Sequence, residues 1–248
     1  MLIPDELLRD VDVLCLDAGG VVVCLDHLRL ASLVNASGLA IVDGGVLAYA
    51  EGEAKKRLEA RAMVTVTWAG QHLAGAHGWA EMVGTMLHVA GVARDRLPSL
   101  INSIWADHVR QNLWSKVPDG LPDALQALRL TGVRVALVSN SEGMLDSLFS
   151  ALGIRACFDF LGDSGVVGVE KPDPAFFAMA LAACKSTSDR ALHLGDTFAT
   201  DVLGARAAGI RTALVDPLEQ YAGRHPEVPR VPSARAVAES LTVCARSR

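Results

Sequence analysis

Four short polar stretches carry side chains that could do chemistry together. They are Asp17 in "LCLDAGGVVV", Ser139 and Asn140 in "VSNS", Lys171 in "GVEKPDP", and Asp196 with Asp201 in "GDTFATD". Each stretch ends or follows an apolar run of the kind that forms a buried strand. Open parallel sheets bind ligands beyond the carboxyl ends of their strands, so we expect these side chains to converge on one crevice.

The residue types suit the transfer of a phosphoryl or similar group. Asp17 can attack an electrophilic centre and form a covalent intermediate. Asp17, Asp196 and Asp201 offer the hard oxygen ligands that Mg²⁺ prefers, and the metal would suppress repulsion between the nucleophile and an anionic substrate. Ser139 and Lys171 can hold phosphoryl oxygens and offset developing charge.

Two glycines follow the candidate nucleophile. Gly19 and Gly20 contribute peptide groups and no side chain to this loop. Because glycine lets the backbone come close to a ligand, we expect the loop to approach the metal and the substrate.

The elements that must position these residues alternate between strands and helices. Apolar runs predict five buried parallel strands, at 11–16, 133–138, 158–161, 191–194 and 211–215. Helical patterns lie at 122–130, 142–152, 174–184 and 201–208. The alternation predicts an α/β fold, a Rossmann-like parallel sheet sandwiched by helices.

A long helical insertion separates the first predicted strand from the second. Its helical patterns cover residues 26–36, about 45–73, 78–90 and 94–112. We therefore expect an α/β core domain formed by residues 1–24 and 116–248, with an inserted helical cap domain formed by residues 25–115.

These motifs, in this order and at strand ends, resemble the haloacid dehalogenase superfamily. The helical insertion is similar to that superfamily's cap of the first type. The resemblance implies that Asp17 is the nucleophile and a Mg²⁺ ligand, and that the Gly19 carbonyl is another ligand. It also implies that Asp196 binds the metal directly and that Asp201 binds it through water.

The resemblance implies the substrate contacts as well. Ser139 and Lys171 would act in catalysis by binding phosphate, and Gly20 and Asn140 would add contacts to the substrate. Simpler interpretations remain open for single residues. Ser139 could cap the following helix, Lys171 could be a surface lysine, and Asp201 could be a helix N-cap.

One position departs from the phosphatases of the superfamily. Their motif usually reads DxDGT, and the second Asp protonates the leaving group and later activates water; here that position is Gly19. A general acid or base is worth about 10²–10⁴ in rate. We therefore favour a Mg²⁺-dependent phosphatase for a small phosphorylated metabolite whose acid is dispensable or comes from the cap, where the candidates are Glu51, Glu53, His72, His77 and His88.

Three other interpretations stay open. One is a 2-haloacid dehalogenase, which needs no leaving-group acid. Such enzymes usually have an aromatic residue at the position of Gly19, and they lack the metal-binding motif to which Asp196 belongs. A phosphonate-cleaving enzyme would use a cap lysine, Lys55 or Lys56. The chain could also be a non-catalytic binding protein of the same fold.

Composition restricts the partners. The chain of 248 residues is 51% hydrophobic with a net charge of −5, which disfavours nucleic acid and anionic membranes as partners. Its five cysteines form no CxxC motif, and its acidic N-terminus does not resemble a signal peptide. We expect a cytoplasmic monomer or homodimer with reduced thiols and a small-molecule substrate.

Overall fold

The chain folds into two units, each with its own hydrophobic core. The computed structural model describes residues 3–216 and 219–246. The sheet unit comprises the chain up to Cys24 and the chain from Val117 onward, and the helical unit comprises Leu25–Lys116. None of the helices among these residues is both long enough and apolar enough to span a bilayer.

Eight strands are present in the described part of the chain. They are β1 (Val13–Leu16), β2 (Cys24–Leu25), β3 (Trp114–Lys116), β4 (Arg134–Ser139), β5 (Phe160–Asp163), β6 (Ala191–Gly195), β7 (Arg211–Val215) and β8 (Arg230–Val231). Strands β2 and β3 pair with each other, and the other six form one sheet.

The six-stranded sheet is parallel throughout, in the order β5-β4-β1-β6-β7-β8. The chain runs outward from β1 through β4 to β5 and then crosses to the other side of β1 with β6. This reversal beside β1 is the topological switch point at which such sheets bind ligands. The predicted α/β class is therefore confirmed, with β8 as an additional edge strand.

Burial explains why these apolar runs are strands. All four residues of β1 and all five residues of β6 are buried. A strand covered on both faces needs apolar side chains at successive positions instead of an alternating pattern.

Eleven α-helices lie in the described ranges. They are α1 (Asp5–Leu8), α2 (His27–Ala36), α3 (Gly44–Glu59), α4 (Ala76–Val89), α5 (Leu97–His108), α6 (Leu121–Arg129), α7 (Leu145–Ala151), α8 (Ser164–Val167), α9 (Pro174–Cys184), α10 (Leu203–Ala207) and α11 (Ala234–Arg246). Helices α2 to α5 belong to the helical unit. A π-helical turn, Phe198–Val202, leads into α10.

One predicted helix is wrong over half its length. The pattern at about 45–73 predicted a single helix, but α3 ends at Glu59. The sequence "VTVT" at 64–67 is a run of four β-branched residues, which favour extended backbone. Val64 and Val66 turn inward and are buried, and the Val64 N–H donates to Thr85 Oγ1 at 2.8 Å.

The tryptophans of the helical unit form part of its core. The ring centroids of Trp68, Trp79 and Trp105 lie 4.9–6.1 Å apart. Trp68 and Trp79 are buried within the hydrophobic cluster of this unit. Packing in the core is therefore enough to account for these tryptophans.

A partly buried carboxylate also lies in the helical unit. Glu51 on α3 lies 2.7 Å from His27 Nε2 and 3.0 Å from Lys55 Nζ. Burial raises the pKa of Glu51, but the charge of Lys55 and the hydrogen bond from His27 outweigh it and lower the pKa to about 2. The carboxylate is therefore ionised at neutral pH.

Replacing this carboxylate tests its contribution to stability. A shift of the pKa of Glu51 from 4.5 to about 2 corresponds to roughly 3 kcal/mol. We expect Glu51→Gln to lower the free energy of unfolding by about that amount near pH 7, measured by urea titration. Because the folded-state pKa is the lower one, the difference should shrink as the pH falls from about 4.5 towards 2.

Glu53→Gln is the matched control on the same helix. Glu53 pairs with Lys56 at 2.7 Å, but both side chains are partly exposed. Such pairs contribute about 0–1 kcal/mol. Equal losses in the two variants would contradict a special contribution from Glu51.

Candidate active site

Asp17 leaves the sheet where β1 ends. Its N–H donates to the Leu194 carbonyl at 2.9 Å, which ties the start of the loop to β6. The Ala18 carbonyl then accepts the N–H groups of Val22 and Val23, both at 2.9 Å, and closes a tight turn. The apolar run thus delivers the carboxylate to the switch point beside β1.

Two glycines allow the acidic residues to come close to the strand ends. Gly20 has φ +73°, and a Cβ there would lie 1.8 Å from Asp196 Oδ2. A Cβ on Gly195 would lie 2.1 Å from the carboxyl carbon of Asp201. Any side chain at either position would displace a carboxylate, so packing requires glycine at both, and the left-handed backbone also favours it at Gly20.

Lys171 joins two of the carboxylates. Its Nζ donates to Asp17 Oδ1 at 2.7 Å and to Asp201 Oδ1 at 2.6 Å. The side chain is 2% exposed, which excludes the interpretation as a surface lysine. Burying an ammonium is costly unless it is paired, and the two carboxylates pair it.

Asn140 holds the backbone of this lysine. Its Nδ2 donates to the Lys171 carbonyl at 2.9 Å, and its Oδ1 accepts the Lys171 N–H at 2.7 Å. The side-chain amide therefore fixes where Lys171 leaves its loop. The sequence indicated a substrate contact for Asn140 and gave no sign of this contact with the backbone.

The second acidic residue of the "GDTFATD" motif is fully buried. Asp201 Oδ1 lies 3.0 Å from His193 Nε2, and Asp201 Oδ2 accepts the Thr197 N–H at 3.0 Å. Asp196 Oδ1 accepts the Thr197 hydroxyl at 3.0 Å. Asp201 lies inside the π-helical turn and does not cap α10, whose N-cap is Val202.

His193 is a site residue that the sequence analysis missed. It lies on β6, is fully buried, and packs edge-on against the Phe177 ring at 4.9 Å. The available signal was a single histidine in an apolar strand two residues before Gly195.

Ser139 is the last residue of β4 and is buried. It lies opposite Asp163 in the register with β5. The Asp163 carboxylate accepts the N–H groups of Gly143 and Leu145 at 2.9 and 3.0 Å, which holds the loop after β4. Ser139 does not cap the next helix, because α7 begins at Leu145.

The site contains more negatively than positively charged side chains. Burial and the nearby carboxylates of Asp201 and Asp196 raise the pKa of Asp17 to about 6, although Lys171 opposes them. The pKa of Asp201 is lowered, because Lys171 and His193 outweigh its burial. The carboxylates of Asp17 and Asp201 in turn outweigh burial and raise the pKa of Lys171.

The donor set fits a divalent cation. One carboxylate oxygen each from Asp17, Asp196 and Asp201 lies within 4.8 Å of the others. Three carboxylates against one lysine leave an excess of negative charge, which a divalent cation would offset. The structure thus brings together Asp17, Lys171, Asp196 and Asp201, with Gly20 against Asp196 and Asn140 against Lys171.

Fold and site together define a Rossmann-like α/β protein with an acidic centre at its strand ends. A family model described as a haloacid dehalogenase-like hydrolase matches residues 11–209. The chain therefore belongs to the haloacid dehalogenase-like hydrolase family, as its motifs predicted.

Curated relatives cover part of this chain. It is 33% identical over 138 residues to haloacid dehalogenase-like hydrolase domain-containing protein 3 of Homo sapiens, covering 55% of each chain. It is 35% identical over 132 residues to a phosphoserine phosphatase of Thermus thermophilus, covering 52% of this chain and 51% of the relative. The chain spans about half the length of these relatives.

Solved structures share the fold over nearly the whole chain. The HAD-hydrolase YfnB of Bacillus subtilis, bound to magnesium, has a TM-score of 0.66 at 16% identity and covers 94% of this chain and 99% of its own. A 2-haloacid dehalogenase of Pseudomonas syringae has a TM-score of 0.55 at 20% identity, covering 96% and 100%. These likenesses establish the fold.

The close approach at Gly20 yields a stability prediction. Gly20→Ala should lose about 1–2 kcal/mol to the left-handed backbone and a further 1–3 kcal/mol to the collision with Asp196. Gly168→Ala is the matched control, because Gly168 has φ +74° and nothing within 4 Å of an added Cβ. Urea unfolding of both variants measures the difference, and equal losses would contradict the packing of Asp196 on Gly20.

Proposed function

We propose that the protein is a Mg²⁺-dependent phosphatase that hydrolyses a small phosphorylated metabolite through a phosphorylated Asp17. The observation that carries the proposal is the ammonium of Lys171 bonded to both Asp17 and Asp201, at 2.7 and 2.6 Å, beside the third carboxylate, Asp196. A nucleophile, a fixed cation and a set of hard oxygen ligands are the parts that phosphoryl transfer needs.

The metal would be held by this chain's own oxygen atoms. Asp17 and Asp196 would bind it directly with the Gly19 carbonyl, and Asp201 would bind it through water. When bound, Mg²⁺ would supply positive charge that shields the nucleophile from an anionic substrate. The raised pKa of Asp17, about 6, supports this assignment, because it reflects burial beside other carboxylates.

The proposed reaction has two displacements. In the first, an Asp17 oxygen attacks phosphorus, the bond from phosphorus to the leaving-group oxygen breaks, and that oxygen keeps the electron pair. In the second, water attacks phosphorus, the bond to Asp17 breaks, and inorganic phosphate leaves. Ser139 and Lys171 would hold the phosphoryl oxygens during both, with Gly20 and Asn140 lining the substrate position.

Gly19 sets the chemical limit on this reaction. With no carboxylate there, the leaving group departs without a proton from that position, so aryl and acyl phosphates are the favoured substrates. The carboxylates Glu51 and Glu53 are poor substitutes, since each is paired with a lysine. These pairs disfavour two of the five cap candidates and leave His72, His77 and His88; the proposal takes the acid to be dispensable.

Relatives with phosphatase names support the assignment. Besides the phosphoserine phosphatase, the chain is 30% identical over 123 residues to a ribulose-1,5-bisphosphate 5-phosphatase of Halopiger xanaduensis, covering 49% of this chain and 50% of the relative. A cytoplasmic location is part of the proposal and is supported by the five free cysteines.

Paired substrates test the missing acid. In Mg²⁺-containing buffer, the unmodified protein should release phosphate faster from an aryl or acyl phosphate than from an alkyl phosphate. The ratio of the two rates should be larger in the unmodified protein than in Gly19→Asp. The new carboxylate should raise alkyl phosphate turnover by up to about 10²–10⁴. Gly19 is not among the glycines with positive φ, so an Asp is compatible with its backbone.

Asp17→Asn is the blank, and it should abolish release from both esters. No phosphate release from either ester, even with Gly19→Asp, would overturn the phosphatase. Halide release from a 2-haloacid under the same conditions would then identify a dehalogenase, and its absence would favour a binding protein.

A second measurement follows the intermediate. Gly19 also leaves the water of the second displacement without a neighbouring base, so phosphorylated Asp17 should accumulate. An aryl phosphate should give a burst of aryl alcohol close to the enzyme concentration, and acid-quenched protein should carry a phosphate that Asp17→Asn lacks. Gly19→Asp should reduce the burst, whereas a linear time course in the unmodified protein would contradict a slow second displacement.

A further inference from the structure

The turn that carries Asp201 is held by a distant part of the sheet unit. The π-helical turn Phe198–Val202 begins two residues after Asp196 and contains Asp201. The N–H of Phe198, at the start of this turn, donates to the hydroxyl oxygen of Tyr221 at 3.2 Å. The first N–H groups of a helical turn have no partner within it, so an outside acceptor fixes where the turn starts.

Tyr221 is well placed to act as a fixed acceptor. It is 1% exposed, and its ring packs in a small apolar cluster with Val202, the last residue of the turn. Its own N–H donates at 3.0 Å to Asp216, a buried carboxylate just after β7. The hydroxyl is thus anchored through the backbone to the end of a sheet strand.

A second contact reinforces the first. The imidazole of His225 stacks on the Phe198 ring, with centroids 3.5 Å apart and ring planes 6° apart. His225 has φ +48°, a left-handed conformation that non-glycine residues seldom adopt. Such a conformation persists where surrounding contacts determine it.

We propose that Tyr221, assisted by His225, is a positioning residue that holds the π-helical turn so that Asp196 and Asp201 keep the spacing needed for a divalent cation. The inference rests on the proposed function, because it takes these carboxylates as metal ligands. Tyr221 acts through the turn, by accepting the Phe198 N–H and by packing with Val202. Side chains behind metal ligands commonly change metal affinity by about 10–100-fold when they are removed.

Tyr221→Phe tests the proposal, because it removes only the hydroxyl. Calorimetry with Mg²⁺ and Mn²⁺ should give about 10-fold weaker binding than in the unmodified protein. Hydrogen exchange of the metal-free protein should be faster at residues 198–202. Tyr49→Phe is the matched control, since Tyr49 is the other tyrosine of the chain and is 67% exposed, and it should change neither.

His225→Ala is the second variant, and it should weaken metal binding and speed exchange at the same residues to a lesser degree. Unchanged exchange in Tyr221→Phe would overturn the proposal, and so would faster exchange with unchanged metal affinity. An unmodified protein that binds neither cation would instead contradict the proposed function. That result would also contradict a role of Tyr221 in metal binding. The hydrogen-exchange data would still decide whether the hydroxyl orders the turn.

Discussion

The pairing of one buried ammonium with two buried carboxylates constrains the whole sheet unit. Lys171 can be buried only if Asp17 and Asp201 stay within hydrogen-bond distance of it, since an unpaired buried charge would cost several kcal/mol. Asp17 follows β1, and Asp201 lies in the turn after β6. The two strands therefore have to be neighbours that end at the same edge, which a parallel pairing provides. The backbone contacts of Asn140 bring Lys171 to the same point from the other side.

The same pairing leaves the site short of positive charge. Lys171 balances one carboxylate, yet three lie together, and the carboxylates of Asp201 and Asp196 add to the effect of burial in raising the pKa of Asp17. Gly20 and Gly195 make the crowding possible, because side chains there would push Asp196 and Asp201 away. The packing thus holds the negatively charged carboxylates together against their mutual repulsion. This arrangement favours a cation in the site.

The sequence predicted the fold class because buried parallel strands leave an unmistakable pattern of apolar runs. The predicted helix extends past the end of α3 because the segment after Glu59 contains small and apolar residues typical of a helix, although its four consecutive β-branched residues favour extended backbone. The two-residue strands β2 and β8 are too short to leave any periodic signal. The contacts of His193 and Tyr221 were not predictable for a different reason. Each depends on how a side chain meets the turn that carries Asp201, and the histidine in the apolar strand β6 was the only sequence signal for either contact.

In the proposed phosphatase, the absence of a carboxylate at Gly19 would give the site a particular selectivity. Such a site would stabilise charge on the phosphoryl group and donate no proton to the leaving group from that position. Under the proposal, the stability of the departing anion, and so the pKa of the leaving group, would weigh more heavily than in a site that keeps the acid. In the helical unit, Glu51 is ionised and held by His27 and Lys55, which keeps it from acting as an acid near neutral pH. Selection by leaving-group acidity is therefore what the proposed function predicts from the absence of an acid at Gly19 and from the ion pairs of Glu51.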